Sequence, residues 1–325
     1  MNSRKLFLTL FLAVLTAMPL AAQVGLSIKL NRMTYMIYEP VHAFVAIRND
    51  SGRALVFGTN PRLQGFILFD IRDQHNRRVP KKGNAEISVT DLLINAGETK
   101  PLFFRLDRFY DLTKPGIYRV KVYISHPQLP NDFESKESIF WVANGSPIWK
   151  KTVGLPKLDD NDKSDIESRT YTIRALFDGQ TRYYYLVVED EEHIYGVMRI
   201  GKALGQEKIH AEVDMLSRIH ILNPISTNVH HHLSFALDGS NTINQYWKNT
   251  ETIPTLMRDR SGKVFVAGGA PALQGIDYKT LDPKQKNADQ LTREFEEAYQ
   301  LQNPGKNTVP RKNEGLVDLG KSLEN

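Results

Sequence analysis

Between residues 24 and 144 apolar and polar positions alternate with a period of two, the spacing of a strand with one face buried. Val24 to Leu30 opens the series, and Val41, Ala43, Val45 and Ile47 share a face in the run that ends at Asn49-Asp50-Ser51-Gly52, a turn by composition. Leu55 to Gly58 is short. Phe66 to Ile71 is almost continuously apolar, as expected of a strand covered on both faces. Glu86 to Ile94 and Leu102 to Leu106 follow, separated by Asn95-Ala96-Gly97-Glu98. The sharpest signal is Pro115-Gly116 leading into Tyr118, Val120, Val122 and Ile124 on one face, with Arg119 and Lys121 on the other. Ile139 to Val142 closes the series. Seven or eight short strands in about 120 residues predict a single β-sandwich.

The second half is β-rich again. Residues 145–168, with Asn144-Gly145-Ser146-Pro147 at the start, read as a linker, and an antiparallel domain is expected over residues 169–275. Tyr171 to Ala175, Tyr183 to Val188, His193 to Ile200, Ile209 to Met215, Arg218 to Leu222, Val229 to Leu237, Ile243 to Trp247, Thr255 to Arg258 and Lys263 to Val266 are its expected strands. Asp238-Gly239 and Ser261-Gly262 are hairpin signals. Ile219 and Val264 sit in similar strand–turn–strand units about 45 residues apart, the period of a propeller blade. The domain is too short for a full propeller, so a blade-like meander closed into a sandwich or open barrel is the expectation. Asp282-Pro283 begins a helix, expected over residues 276–302, with Leu291, Phe295 and Tyr299 on one stripe. Residues 303–325 are polar and read as a disordered tail. The fold class is all-β with one C-terminal helix.

Glu39-Pro40 before a strand, Asn49-x-Ser51-Gly52, Ala96-Gly97-Glu98 before a strand and Pro115-Gly116-x-Tyr118 together resemble exported bacterial immunoglobulin-like domains, a group similar to the bacterial intracellular proteinase inhibitors. The resemblance covers residues 24–144. It implies a sandwich in which Pro115, Gly116 and Tyr118 form a tyrosine corner, the Tyr118 hydroxyl bonding back to the chain upstream. No inhibitory loop carries over on matching residues.

Composition narrows the location and the chemistry. Arg4 and Lys5, the apolar run from Leu6 to Leu15 and Pro19-Leu20-Ala21-Ala22 make residues 1–22 an export signal, too short to serve as a membrane span. A periplasmic or secreted protein follows. The chain has no cysteine, which closes disulfides, thiol catalysis, cysteine metal sites and a lipid-anchored lipoprotein route. The formal charge of +5 includes the two basic residues of the signal, and basic residues are otherwise scattered, apart from Arg72, Arg77, Arg78, Lys81 and Lys82 at an expected hairpin end. Such a cluster reads first as a solvated turn and second as a docking patch for an anionic polymer or membrane surface. No nucleic-acid motif is present.

Several stretches of the second half carry candidate chemistry. His220, His230 and His232 are the candidate metal ligands. On a strand His230 and His232 face one way, and with His220 on the neighbouring strand three imidazoles would suit zinc with an open position for water. The spacing matches no zinc signature, and histidines on a polar sheet face are the plainer reading. Tyr183, Tyr185 and Trp247 are the candidate ligand-binding aromatics, as a platform for a sugar; aromatics that alternate along strands are more often core on one face. Asp159 to Asp162 lacks the glycine and the distal glutamate of a calcium loop, since Ser164 and Thr170 stand there. Gly196 to Ala203 lacks the hydroxyl and the glycine-rich interior of a phosphate loop, Gly268-Gly269 is a turn, and no Gly-x-Ser-x-Gly elbow exists.

The expectation is a non-catalytic module that binds a protein or an envelope polymer, with no nucleic acid and no cofactor. Two alternatives stand beside it: a metal- or carboxylate-dependent hydrolase in the second domain, and a protease inhibitor acting through a rigid loop of the first. Convergence of the histidines in a pocket near a carboxylate would favour the hydrolase.

Overall fold

A computed structural model describes residues 24–83, 87–154, 168–205 and 208–279. The expected signal peptide, the tail and nearly all of the expected C-terminal helix lie outside the described residues, as do Asp159 to Asp162. In chain order the first half carries β1 (Val24–Leu30), β2 (Thr34–Met36), β3 (His42–Asn49), β4 (Leu55–Phe57), β5 (Gly65–Arg72), β6 (Ile87–Val89), β7 (Leu92–Ile94), β8 (Thr99–Arg105), the one-turn helix α1 (Leu106–Phe109), β9 (Gly116–Ser125), β10 (Phe133–Glu134) and β11 (Ser138–Ala143). The second half carries β12 (Ser146–Gly154), β13 (Ser168–Phe177), β14 (Arg182–Glu189), β15 (Ile194–Lys202), β16 (His210–Val213), β17 (Ile219–Pro224), β18 (Val229–Phe235), β19 (Asn241–Lys248), β20 (Thr255–Arg258), β21 (Val264–Ala267) and β22 (Ala270–Pro271). The fold is all-β with several antiparallel sheets, and β2 pairs with β11 in parallel. Among the described residues no helix is long and apolar enough to cross a membrane.

The chain forms two compact units that do not divide at residue 144. The first takes the strand ending at Leu30, Ala43–Phe104 and Arg119–Ile139; the second takes Asn31–His42, Arg105–Tyr118 and the described chain from Phe140 onward. Residues 146–154, expected as linker, form β12 and pair with β13.

In the first unit β1, β3 and β8 form one sheet, β5 pairs with β6 and β9, and β4 pairs with β7. Burial along β5 alternates: Ile67, Phe69 and Ile71 are buried, while Leu68 is 43% exposed, so this strand is covered on one face and not on both. The expected strand from Glu86 to Ile94 is two. Asp91 adopts φ 58°, which breaks it into β6 and β7, and these join different partners. Val120, Val122 and Ile124 are buried along β9, as their alternation predicts. In the second unit the Tyr118 hydroxyl donates to the Lys114 carbonyl at 2.6 Å, and its ring stacks on Phe140 at 5.3 Å.

Most of the second unit is a two-layer sandwich. The four-stranded sheet β12-β13-β14-β15 is a meander of sequence neighbours, and so is β16-β17-β18-β19, to which β22 adds at the β19 edge after the chain has formed β20 and β21. Tyr171, Ile173, Tyr184, Leu186 and Val188 from the first meet Ile219, Ile221, Leu233 and Phe235 from the second. Each large apolar side chain so buried contributes about 1.5–3 kcal/mol. Each outer face also has a cover. Met36 and Ile37, from the segment Asn31–His42, pack on Leu176, Tyr183 and Tyr185 of the four-stranded sheet. The hairpin β20–β21 packs Leu256, Val264 and Val266 on Leu222 of the other.

Three of the hairpin turns share one chemistry. In Asp73 to Arg77, Asp214 to Arg218 and Asp259 to Lys263 the aspartate side chain accepts backbone N–H bonds from residues two and four further on. The fourth residue of each, Asn76, Ser217 or Gly262, is left-handed at φ 61°, 59° or 82°. This is a three-residue loop ended by a left-handed bulge. It explains the likeness of the two strand–turn–strand units: the turns recur and touch, Met215 N–H donating to the Gly262 carbonyl at 2.9 Å.

Candidate functional site

Two polar constellations emerge in the second unit, one on each outer face of the sandwich. The first is a cleft of about 220 Å³ on the four-stranded sheet, lined by Asn31, Arg32, Tyr183, Tyr185, Gln180 and Arg199 among others. Period two puts Tyr183 and Tyr185 on this face and sends Tyr184 into the core. Tyr185 lies directly across from Arg199 in the β14–β15 register, just past a bulge. The Arg199 guanidinium sits 3.7 Å above the centre of the Tyr183 ring, a cation–π contact that fixes both planes.

The other wall comes from the strap before β3. The Tyr35 hydroxyl donates to Asn31 Oδ1 at 2.6 Å and accepts from the Arg32 N–H at 3.2 Å. Arg32 pairs with buried Glu39, whose second oxygen accepts from the Met36 N–H at 2.9 Å. Burial pushes the Glu39 carboxyl up, while Arg32, the Met36 N–H and Arg199 pull it the other way. Tyr38, at φ 65°, makes the turn that brings Glu39 back. The expected Glu39-Pro40 motif is thus a clamp that holds Arg32 at the cleft.

The second constellation lies on the five-stranded sheet, on the face covered by β20–β21. His220, His230, His232 and Ser234 share that face, and all four are buried. His220 Nε2 is 3.2 Å from Asp214 Oδ2, and His220 Nδ1 is 3.2 Å from His232 Nε2. A carboxylate only accepts, so His220 donates from Nε2; its Nδ1 then accepts, and His232 must donate from Nε2. The result is a directed chain, His232 to His220 to Asp214. It leaves the His232 Nδ1 lone pair and the Ser234 hydroxyl buried without hydrogen-bond partners. Asp214 also takes Arg218 Nε at 2.8 Å and Nη2 at 2.6 Å. Burial pushes its carboxyl up, but the hydrogen bonds from Arg218 and His220 outweigh this and hold it below the usual range. Burial lowers His220, and lowers His232 to about 4, with His220 and His231 adding to the second.

The expected imidazole set is therefore brought together only in part. His220 and His232 meet, but both ring nitrogens of His220 are committed to the chain, so the three imidazoles do not converge on a common point. His230 stands further along, across from Trp247 and Pro224. Among the described residues no group of three or more His, Asp or Glu is placed to hold a metal ion. Of the expected aromatics, Tyr183 and Tyr185 share the cleft, whereas Trp247 is on β19 of the other sheet. His231 points to the opposite face from its neighbours, stacks on Tyr246 at 4.2 Å, and Tyr246 stacks on Tyr278 at 4.3 Å.

Sequence reasoning missed Arg32, Arg199 and Asp214. Arg32 and Arg199 carry no local signal. Asp214 does: aspartate followed four residues later by arginine, with Ser217 between, is the turn of Asp73 to Arg77 repeated.

No family model matches the chain, and neither does any curated protein. Similar solved structures include the CARDB domain of the PF1109 protein from Pyrococcus furiosus, in complex with di-metal ions, at 12% identity over 37% of this chain and 87% of that one. A family 123 glycoside hydrolase from Clostridium perfringens is similar at 10% identity over 38% of this chain and 27% of that one. Spo0M, a sporulation control protein from Bacillus subtilis, is similar at 10% identity over 62% and 79%. Each superposes with a TM-score of 0.25, which extends no argument to this chain.

Proposed function

We propose that the chain is an exported, non-catalytic interaction module, and that the cleft on β13–β15 receives one planar or anionic group of a protein or an envelope polymer. The observation that carries the reading is the Arg199 guanidinium held over Tyr183, with Arg32 opposite in the same cleft. Guanidinium planes and aromatic faces recognise carboxylates and rings without performing chemistry on them. The volume is below the ~300–1,000 Å³ of pockets that engulf a small molecule. It suits a single side chain or one sugar of something larger. Export rests on the pattern of residues 1–22, and an immunoglobulin-like first half rests on the strand series and the Tyr118–Lys114 bond. A photo-crosslinking residue at Gln180, on the cleft rim, should capture one partner from the native envelope, and Arg199→Ala should abolish the adduct. Capture that ignores Arg199→Ala refutes the assignment.

A hydrolase reading is favoured by one observation, the acid–base chain from His232 to Asp214. It requires solvent access to groups that the hairpin buries. Turnover of model ester or glycoside substrates that disappears in His220→Ala would establish it.

A further inference from the structure

The hairpin β20–β21 presents its inner face to the five-stranded sheet and leaves its outer face apolar. Met257 and Phe265 stand directly across from each other on that outer face, 51% and 40% exposed. Met215 and Leu216 border it, because the Asp214 turn is bonded to the Gly262 turn; they are 66% and 60% exposed. Two methionines, a leucine and a phenylalanine together in water make a patch of the kind that marks an interaction site. Arg258, Arg260 and Lys263 flank it, and Asp259 is engaged within its own turn.

We propose that this patch is the docking surface for the chain's own C-terminal segment, residues 282–302. Three observations point to that occupant. Ala288, Leu291, Phe295 and Ala298 recur at intervals of three and four, with Tyr299 beside them, so a helix there carries one apolar stripe and needs a surface to cover. The charges are complementary: the segment 282–302 carries five acidic residues against Lys284, Lys286 and Arg293, and its apolar part from 289 to 299 carries Asp289, Glu294, Glu296 and Glu297 against Arg293 alone, facing a hairpin rimmed with arginine and lysine. The tether is short and starts in the right unit. The described chain ends at Lys279, held to β19 by the Tyr246–Tyr278 stack and by Lys248 on Asp277 at 2.9 Å. The nine residues from there to Ala288 reach roughly 30 Å when extended.

The full-length chain tests this without alteration. Met33, on the strap, is 63% exposed and serves as an internal standard for peroxide oxidation followed by mass spectrometry. If the segment docks, Met257 and Met215 oxidise several-fold more slowly than Met33, and Leu291→Asp with Phe295→Asp brings the three rates together. Equal rates in the unaltered chain overturn the proposal, as does protection that grows with protein concentration, which would make a second copy the occupant. The absence of cysteine allows a second measurement. Phe265→Cys combined with Phe295→Cys should close an intramolecular disulfide in dilute solution several-fold faster than Phe265→Cys combined with Glu297→Cys, whose side chain is on the opposite face. Equal rates for the two pairs would mean a freely sampling tail and overturn the docking.

Discussion

The two outer faces of the second-unit sandwich are covered in different ways, and the difference separates recognition from structure. On the four-stranded sheet the cover comes from residues 31–42, more than a hundred positions away in sequence, and it leaves a cleft lined by Arg32 and Arg199, the latter over the Tyr183 ring. On the five-stranded sheet the cover is a local hairpin, and it closes over histidines that burial keeps neutral. A guanidinium cannot be neutralised by burial, so Arg32 and Arg199 need an acid, a ring or solvent beside them, and the face that holds them stays partly open. An imidazole sheds its proton instead, so the other face can close. Polar residues on a sheet face are thus compatible with either outcome, and the pKa of the residue type decides which.

The comparison breaks first at Asp214. Its carboxylate takes Arg218, His220 and two backbone N–H groups, so Asp214→Ala leaves several buried donors without acceptors. The expected loss is about 3–5 kcal/mol in denaturant unfolding. A loss under about 1 kcal/mol would mean the closed face does not depend on the chain.

Acid probes the same face. His232 is held at about 4 when folded, against about 6.5 unfolded, so the unfolded chain takes the proton first. Stability is intact above about pH 6.5 and falls as the pH drops toward about 4, by up to about 3 kcal/mol from this residue. His42, also lowered to about 4 by burial and by Arg105, adds a slope of the same sign. His232→Gln should reduce the pH dependence of the unfolding midpoint and leave the share of His42. An unchanged slope would place the titration elsewhere.

The open face should respond in the other observable. Arg199→Ala is expected to weaken partner binding by about tenfold or more, near 1.4 kcal/mol, while folding stability moves by less. Titration calorimetry with the captured partner and a melting curve on the same variant separate the two. The smallest effect is at Ser217. Its φ of 59° costs a side-chain-bearing residue about 1 kcal/mol, so Ser217→Gly, which would put there the residue already found at the equivalent turn position 262, should be neutral or slightly stabilising.

Much of the fold was legible because strand alternation and turn chemistry are local. The faces of β9, the hairpins at Gly239 and Gly262, and the upstream bond of Tyr118 all follow from residues within a few positions of one another. The failures have physical causes. Phe66 to Ile71 reads as doubly covered because hydrophobic content alone cannot tell an exposed Leu68 from a buried one. Residues 86–94 read as one strand because Asp91 gives little warning of a left-handed backbone. Residues 146–154 read as linker because an edge strand with lysines, a proline and two-thirds of its positions exposed resembles a polar connection.

The sequence by itself determined that this chain is all-β, that its turns fall where aspartate, glycine and asparagine put them, and that no thiol chemistry is available. It also separated Tyr183 and Tyr185 from Tyr184, since a period of two needs no tertiary information. Only the tertiary structure decided which side chains meet. Arg32 lines one cleft with tyrosines some 150 residues away, and Arg199 reaches Tyr183 past a bulge in the register. Asp214 joins His220 and His232 through a turn and two strand pairings. Register is set by the packing of both faces at once, so a local pattern can name the face of a side chain but not its neighbour across the sheet.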